Sequence, residues 1–161
     1  CCVMPDPVYP VVELIAQDIV DTLEDVTKEN EYYQTLNPRR PTRDIFEANG
    51  PLADLDVLVV QDDPVLISDN PYGVQEWEQP FLLSICLQDS DSSTTAIDTR
   101  KNYAVADVIS AIMEDTSRGG YAIDTVVKDV YSFPVELSET GITVVINVKY
   151  RTQYDDPYST P

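Results

Sequence analysis

The sequence predicts a single α+β domain: a mainly antiparallel sheet of about five strands with two helices packed on one face, in the order α-β-β-β-α-β-β. Three observations predict it. Apolar residues recur at helical spacing in two stretches, Val11 to Val26 and Val105 to Met113. Between and after them lie short apolar runs that alternate in the manner of half-buried strands, most clearly from Ile142 to Tyr150. The 161 residues contain no internal repeat and no linker, so they suit one domain with a core of its own.

Pro5, Pro7 and Pro10 make an extended N-terminal segment, residues 1–8, and Pro10 suits the start of a helix because its missing N–H is not needed there. From there Val11, Val12, Ile15, Ile19, Leu23 and Val26 form one stripe, with Glu13, Asp18, Asp21, Glu24 and Asp25 opposite, which predicts a helix over 9–27. Residues 30–37 read as a strand ended by Pro38, and P-R-R-P-T-R as an exposed loop. A second strand covers 55–60, with an extension through Val65 to Ile67, and acids and prolines from Asp62 to Pro71 mark a long turn. A third strand runs from Trp77 to Leu87. After the polar loop Q-D-S-D-S-S-T-T, Asp98 or Thr99 caps a helix over 99–116 whose apolar side is Val105, Val108, Ile109, Ile112 and Met113. Gly119 and Gly120 stop it. Strands over 122–133 and 142–152 close the domain, and an extended segment, 153–161, leaves it.

The chain carries 29 acidic and 10 basic side chains and no histidine, a net charge of −19. That charge opposes non-specific binding to nucleic acid or an anionic membrane, where affinity comes from Lys and Arg. No run of about 18 apolar residues is present to span a bilayer. Without histidine the Ser-His-Asp and Cys-His layouts are excluded, along with the commonest metal ligand. The charge is also uneven: residues 1–27 and 44–99 hold no base, and the bases of the first half are Lys28, Arg39, Arg40 and Arg43. Such blocks suit self-assembly or partner docking as well as a solvated acidic skin.

Neither a dinucleotide fingerprint nor a phosphate loop is present. Asp89-x-Asp91-x-Ser93 opens like a calcium loop, but Thr94 stands at the turn glycine and Arg100 at the bidentate acid. Asp54/Asp56, Asp62/Asp63 and Asp155/Asp156 are carboxylate pairs that read first as solvated or capping acids. Cys1 and Cys2 are adjacent and Cys86 sits in an apolar run, where it reads as a small buried hydrophobe; three cysteines without C-x-x-C spacing make neither a disulfide framework nor a zinc site. Cys1 reads either as a lipidated terminus, for which no leader is present, or, as the plainer expectation, as upstream sequence before a start at Met4; synthesis in a reduced cytoplasm fits these thiols. No metal, cofactor or catalytic residue is expected.

The residues expected to meet a partner are of three kinds. Arg39, Arg40 and Arg43 form the densest positive patch, and arginine's planar fork holds carboxylates of a neighbouring copy well. Trp77 opens the third strand and can anchor a contact or close the core. Arg151, Tyr154, Asp155, Asp156 and Tyr158 belong to V-K-Y-R-T-Q-Y-D-D-P-Y, where an alternating strand runs into a tail expected to reach beyond its own core.

The element order, together with Y-G-V-Q-E-W-E-Q-P-F at 72–81, A-I-D-T-R at 96–100, R-G-G-Y-A-I-D-T at 118–125 and the C-terminal motif at 148–158, resembles the tail-terminator (tail-completion) proteins of long-tailed bacteriophages. The resemblance covers nearly the whole chain, and its motifs are structural, not catalytic. It implies a small α/β fold and a hexameric ring that caps the head-proximal end of the tail tube. It also implies a face for the tube protein, a face for a neck or head-completion protein, and DNA passing through the hole without specific binding. The chain would then be a non-enzymatic virion protein of the head–tail junction, made in the host cytoplasm. Acid-rich and arginine-rich surfaces on one chain suit the head-to-tail contacts of a ring. The alternatives are another neck ring, of head-completion or connector type, and a carboxylate-dependent metal hydrolase using a pair such as Asp54/Asp56.

Overall fold

The computed structural model describes residues 8–41, 54–69, 73–88, 96–136 and 139–161. Arg43, Cys1, Cys2, Met4, Pro5, Pro7 and the stretch from Asp89 to Thr94 lie outside the described residues. The chain is an α+β domain of two helices and a six-stranded mixed sheet.

Helix α1, Val11–Glu24, starts where Pro10 places it and buries Val11, Ile15, Ala16, Ile19 and Leu23. It stops short of the expected residue 27 because Lys28–Asn30 form a 3-10 turn, in which Thr27 Oγ1 accepts from the Asn30 N–H at 3.2 Å. The strand expected over 30–37 is therefore absent. Instead the N–H groups of Tyr33 and Gln34 donate to the Asp107 carboxylate at 3.3 and 3.0 Å, which satisfies the backbone without a ladder. The first strand, β1, is Asn37–Arg39, with Pro38 in its middle instead of ending it. Proline is tolerated there because β1, among the described residues, is an edge strand paired only with β2, Asp56–Gln61, in the one parallel pairing they contain.

After β2, Asp62 to Pro64 break the chain before β3, Val65–Asp69. Both β2 and β3 pair antiparallel with β4, Val74–Gln88, on the same side. They are one strand interrupted, where the sequence suggested one strand extended. β4 starts three residues earlier than expected and is matched along its whole length by β6, Glu139–Gln153, in fifteen consecutive pairs. β5, Asp124–Glu136, closes the far margin against β6. The spatial order is β1-β2-β4-β6-β5, with β3 beside β4.

Helix α2, Ile97–Glu114, follows Ala96, which offers no side-chain cap; Asp98, expected to cap, lies in the first turn, where a carboxylate still favours the helix dipole. Its buried side is Ala104, Asp107, Val108, Ala111 and Ile112, with Val105 and Ile109 half-buried and Met113 40% exposed. The apolar side is thus turned toward two alanines, whose small side chains let the helix lie close to its neighbours. The core forms on one face of the sheet. Phe81, Leu83, Ile85 and Leu87 of β4 alternate into it beside Ile142, Val144, Ile146 and Val148 of β6, with α1 and α2 on top.

Candidate assembly surface

The first half of β4 and the last residues of β6 run past the strongly buried core. Trp77 faces Tyr150 across the ladder with ring centroids 6.5 Å apart and planes at 14°, and its Nε1–H donates to Thr152 Oγ1 at 3.2 Å. Tyr150 is buried, which pushes its phenol up to about 12. On the opposite face Glu76 takes both cations of the strand beside it, Arg151 Nε at 3.2 Å and Lys149 Nζ at 3.7 Å. Sheet pleating explains the division, since successive residues point to opposite faces.

The C-terminal residues, expected to run out extended, turn back instead. Asp155 adopts a positive φ of 53°, and the Tyr154 N–H donates to Gly73 O at 3.0 Å. The Gln153 N–H reaches Ser159 O at 2.9 Å, and the Asp155 N–H reaches Gln75 Oε1 at 3.3 Å. Asp156 Oδ1 accepts from the Tyr158 N–H, and Pro157 O takes the Val11 N–H, one of the donors a helix start leaves open. Tyr154 and Tyr158 stay exposed on this turn.

Arg39 and Arg40 of the arginine patch are engaged within the chain. Arg40 Nη1 meets Glu13 Oε1 at 2.6 Å, and Arg39 Nη2 meets Asp56 Oδ2 at 3.4 Å; Asn37 Nδ2 donates to the other Asp56 oxygen at 2.8 Å. Asp54 is held separately by Arg100 Nη2, 2.6 Å from each oxygen, and by the Gln88 N–H at 2.9 Å. The Asp54/Asp56 pair is therefore split, each carboxylate on its own arginine. Among the described residues no three His, Cys, Asp or Glu side chains are gathered as a metal site, and no described helix is long and apolar enough to cross a membrane.

Two polar side chains that sequence reading missed organise the helix layer. Arg118, at φ 50°, is completely buried; its Nη2 donates to the carbonyls of Ile112 and Asp115, which lie free at the end of α2, and its Nη1 lies 3.4 Å from Asp18 on α1. This side chain, more than the glycines after it, fixes the end of α2. Asp115 closes the turn by accepting from the Ser117 and Gly119 N–H groups and the Ser117 hydroxyl, which hold its carboxyl below the ordinary range. Burial pushes the Asp18 carboxyl up despite Arg118, and pushes Asp107 up despite its two N–H donors. The nearest sequence signal was an arginine beside two glycines.

Among the described residues, two strands each present three exposed apolar side chains. β3 presents Val65 at 53%, Leu66 at 43% and Ile67 at 47% exposure, and its outer edge has no described partner. On the far margin β5 presents Val126, Val130 and Tyr131, again beside an open edge. A long open edge with apolar side chains is a template for another strand. Tyr33 and Tyr103 add an exposed stacked pair on the helix side, with centroids 4.1 Å apart.

Scanned against models of known protein families, the chain matches none, and no curated protein is detectably similar to it in sequence.

Proposed function

We propose that this chain is a non-enzymatic structural subunit that assembles with copies of itself into a ring, and that the ring is a tail terminator at the head–tail junction of a long-tailed phage. The observation that carries self-assembly is β3, where three consecutive exposed apolar residues lie on an edge with no partner among the described residues, in a chain with a charge of −19. The motifs at 72–81, 96–100, 118–125 and 148–158 supply the kind of particle. In that role one face of a hexamer meets the tube protein and the other a neck protein, with no cofactor. DNA passes the acid-rich surface without binding, because carboxylates repel its phosphates.

The intrachain pairs of Arg39, Arg40 and Arg151 support a modest version of the charge argument. These cations are already partly neutralised, so they orient neighbouring copies more than they hold them together. Six copies at −19 repel strongly, and apolar contact has to offset that repulsion.

Native mass spectrometry and negative-stain microscopy of the purified full chain test the reading. The expected result is a closed ring, six copies in number, that blocks elongation of tail tubes when added to polymerising tube protein. A monomer at every concentration up to the solubility limit would overturn it. A ring that binds only a portal or connector would transfer the chain to another neck position.

A further inference from the structure

We infer that the edge of β3 left without a described partner in one copy pairs antiparallel with the corresponding edge of β5 in the next, so that the sheets join into one continuous sheet around the ring. The inference rests on the ring reading above and names the surface that builds it.

The topology supplies the direction. β3 is antiparallel to β4, β4 to β6, and β6 to β5, so β3 and β5 run in opposite senses. When copies are related by rotation about a ring axis, each neighbour keeps its strand direction, and β5 of one copy meets β3 of the next antiparallel. No copy has to be inverted. Because the two edges differ, the contact is heterologous, the kind that closes into rings instead of stopping at a two-fold dimer.

The facing of the side chains agrees with this pairing. Leu66 lies opposite Trp77 and shares its face of the sheet, which is the helix side. On β5, Val127, Val130 and Ser132 lie opposite Ile146, Val144 and Ile142, and so share that side. Joining the edges would set Leu66 beside these residues, and Val65 beside the side of Val126 and Tyr131. Both apolar strips would then be shielded by cross-strand neighbours. The β5 edge is guarded by a bulge between Val127 and Asp129 and by exposed Lys128. Edge lysines and bulges discourage indiscriminate pairing. The β3 edge follows exposed Asp62 and Asp63, and β5 carries exposed Asp124 and Asp129 beside Lys128, so the apolar strips and not charge have to hold the two edges together.

The two edges are offset along the strands. β3 lies level with Gln75 to Glu78, whereas β5 begins opposite Lys149, the partner of Glu78. A closed sheet needs such a stagger between neighbours, since strands in a barrel tilt against its axis.

Two measurements on the full chain test the pairing. In a chain with Cys1→Ser and Cys2→Ser, and with buried Cys86 kept, Leu66→Cys is combined in turn with Val127→Cys, Val130→Cys or Ser132→Cys. Under mild oxidation at least one pair is expected to give a covalent ladder up to the ring, while each single variant gives none beyond a dimer. Separately, Ile67→Lys is expected to convert rings to monomers with an unchanged far-UV circular dichroism spectrum, whereas Glu24→Lys on the exposed side of α1 leaves rings intact. Rings that persist in Ile67→Lys, together with no ladder from any pair, would overturn the edge pairing and leave the ring reading standing. A wild-type chain that is monomeric throughout would remove both.

Discussion

One strand, β4, passes through two environments. From Phe81 to Leu87 its inward side chains are fully buried under α1 and α2. From Val74 to Glu78 they are only half-buried, and order comes from pairwise devices: the Trp77–Tyr150 stack, the Trp77–Thr152 hydrogen bond, Glu76 between Lys149 and Arg151, and the C-terminal turn held at Gly73 and Gln75. The covered half is stabilised by area removed from water. The bare half is held by directional contacts, each of modest worth, on a ladder that the covered half keeps in register. That division leaves the bare half and its neighbour β3 available for a partner.

Substitutions at the two ends of β4 test this contrast. Phe81→Ala should be the most damaging, costing about 3–5 kcal/mol through lost burial and the cavity left behind, read from the urea unfolding midpoint. Next comes Arg118→Ala, expected to cost about 3 kcal/mol by leaving the carbonyls of Ile112 and Asp115 and the carboxylate of Asp18 without their cation. Trp77→Ala should cost less, about 2 kcal/mol, because a half-buried indole loses part of its burial together with a stacking contact and one hydrogen bond. A loss at Trp77 equal to that at Phe81 would erase the distinction between the halves.

The smallest effect concerns pH. Burial raises the Asp18 and Asp107 carboxyls above their ordinary value of 3.8, so the folded chain keeps protons that the unfolded chain has released. Stability should therefore fall as pH rises from 3.8 through the raised values, the reverse of a chain whose acids are held by cations. Asp107→Asn should make that decline shallower, while its one remaining side-chain oxygen keeps an acceptor for the Tyr33–Gln34 turn. Urea melts across the acid range would show an unchanged slope if Asp107 contributes nothing.

The contrast also explains what was legible in the sequence. The period-two pattern of Ile142 to Tyr150 and the stripe from Val11 to Leu23 are local consequences of one-sided burial, and both elements appear where the pattern puts them. Features that depend on distant partners left no local pattern. β1 exists because three residues lie beside β2, which overrides a proline that by itself argues against a strand. The turn at Tyr33 and Gln34 exists because Asp107 accepts from it across 74 and 73 residues. Arg118 reads as a surface base until α1 brings Asp18 to it. The tail after Gln153 reads as extended, because nothing local reveals that Gly73 and Val11 will receive it. Of the candidate contact residues, the arginines were found by type, whereas β3 was noted only as an extension of β2.

The fifteen unbroken pairs between β4 and β6 have a mechanical consequence. At roughly 3.3 Å per residue this ladder is about 50 Å long. On the neighbouring side the strand is interrupted at Asp62–Pro64, a three-residue link that still joins β3 to β2 and is pinned to β4 by the Asp62 N–H on Pro80 O at 3.0 Å. Force applied at the β3 end therefore enters the helix-covered body through the two spine strands and the short link to β2 together. The bare end is in this sense a lever fixed to the core, and a push on its tip would tilt the domain as a unit instead of bending at a joint.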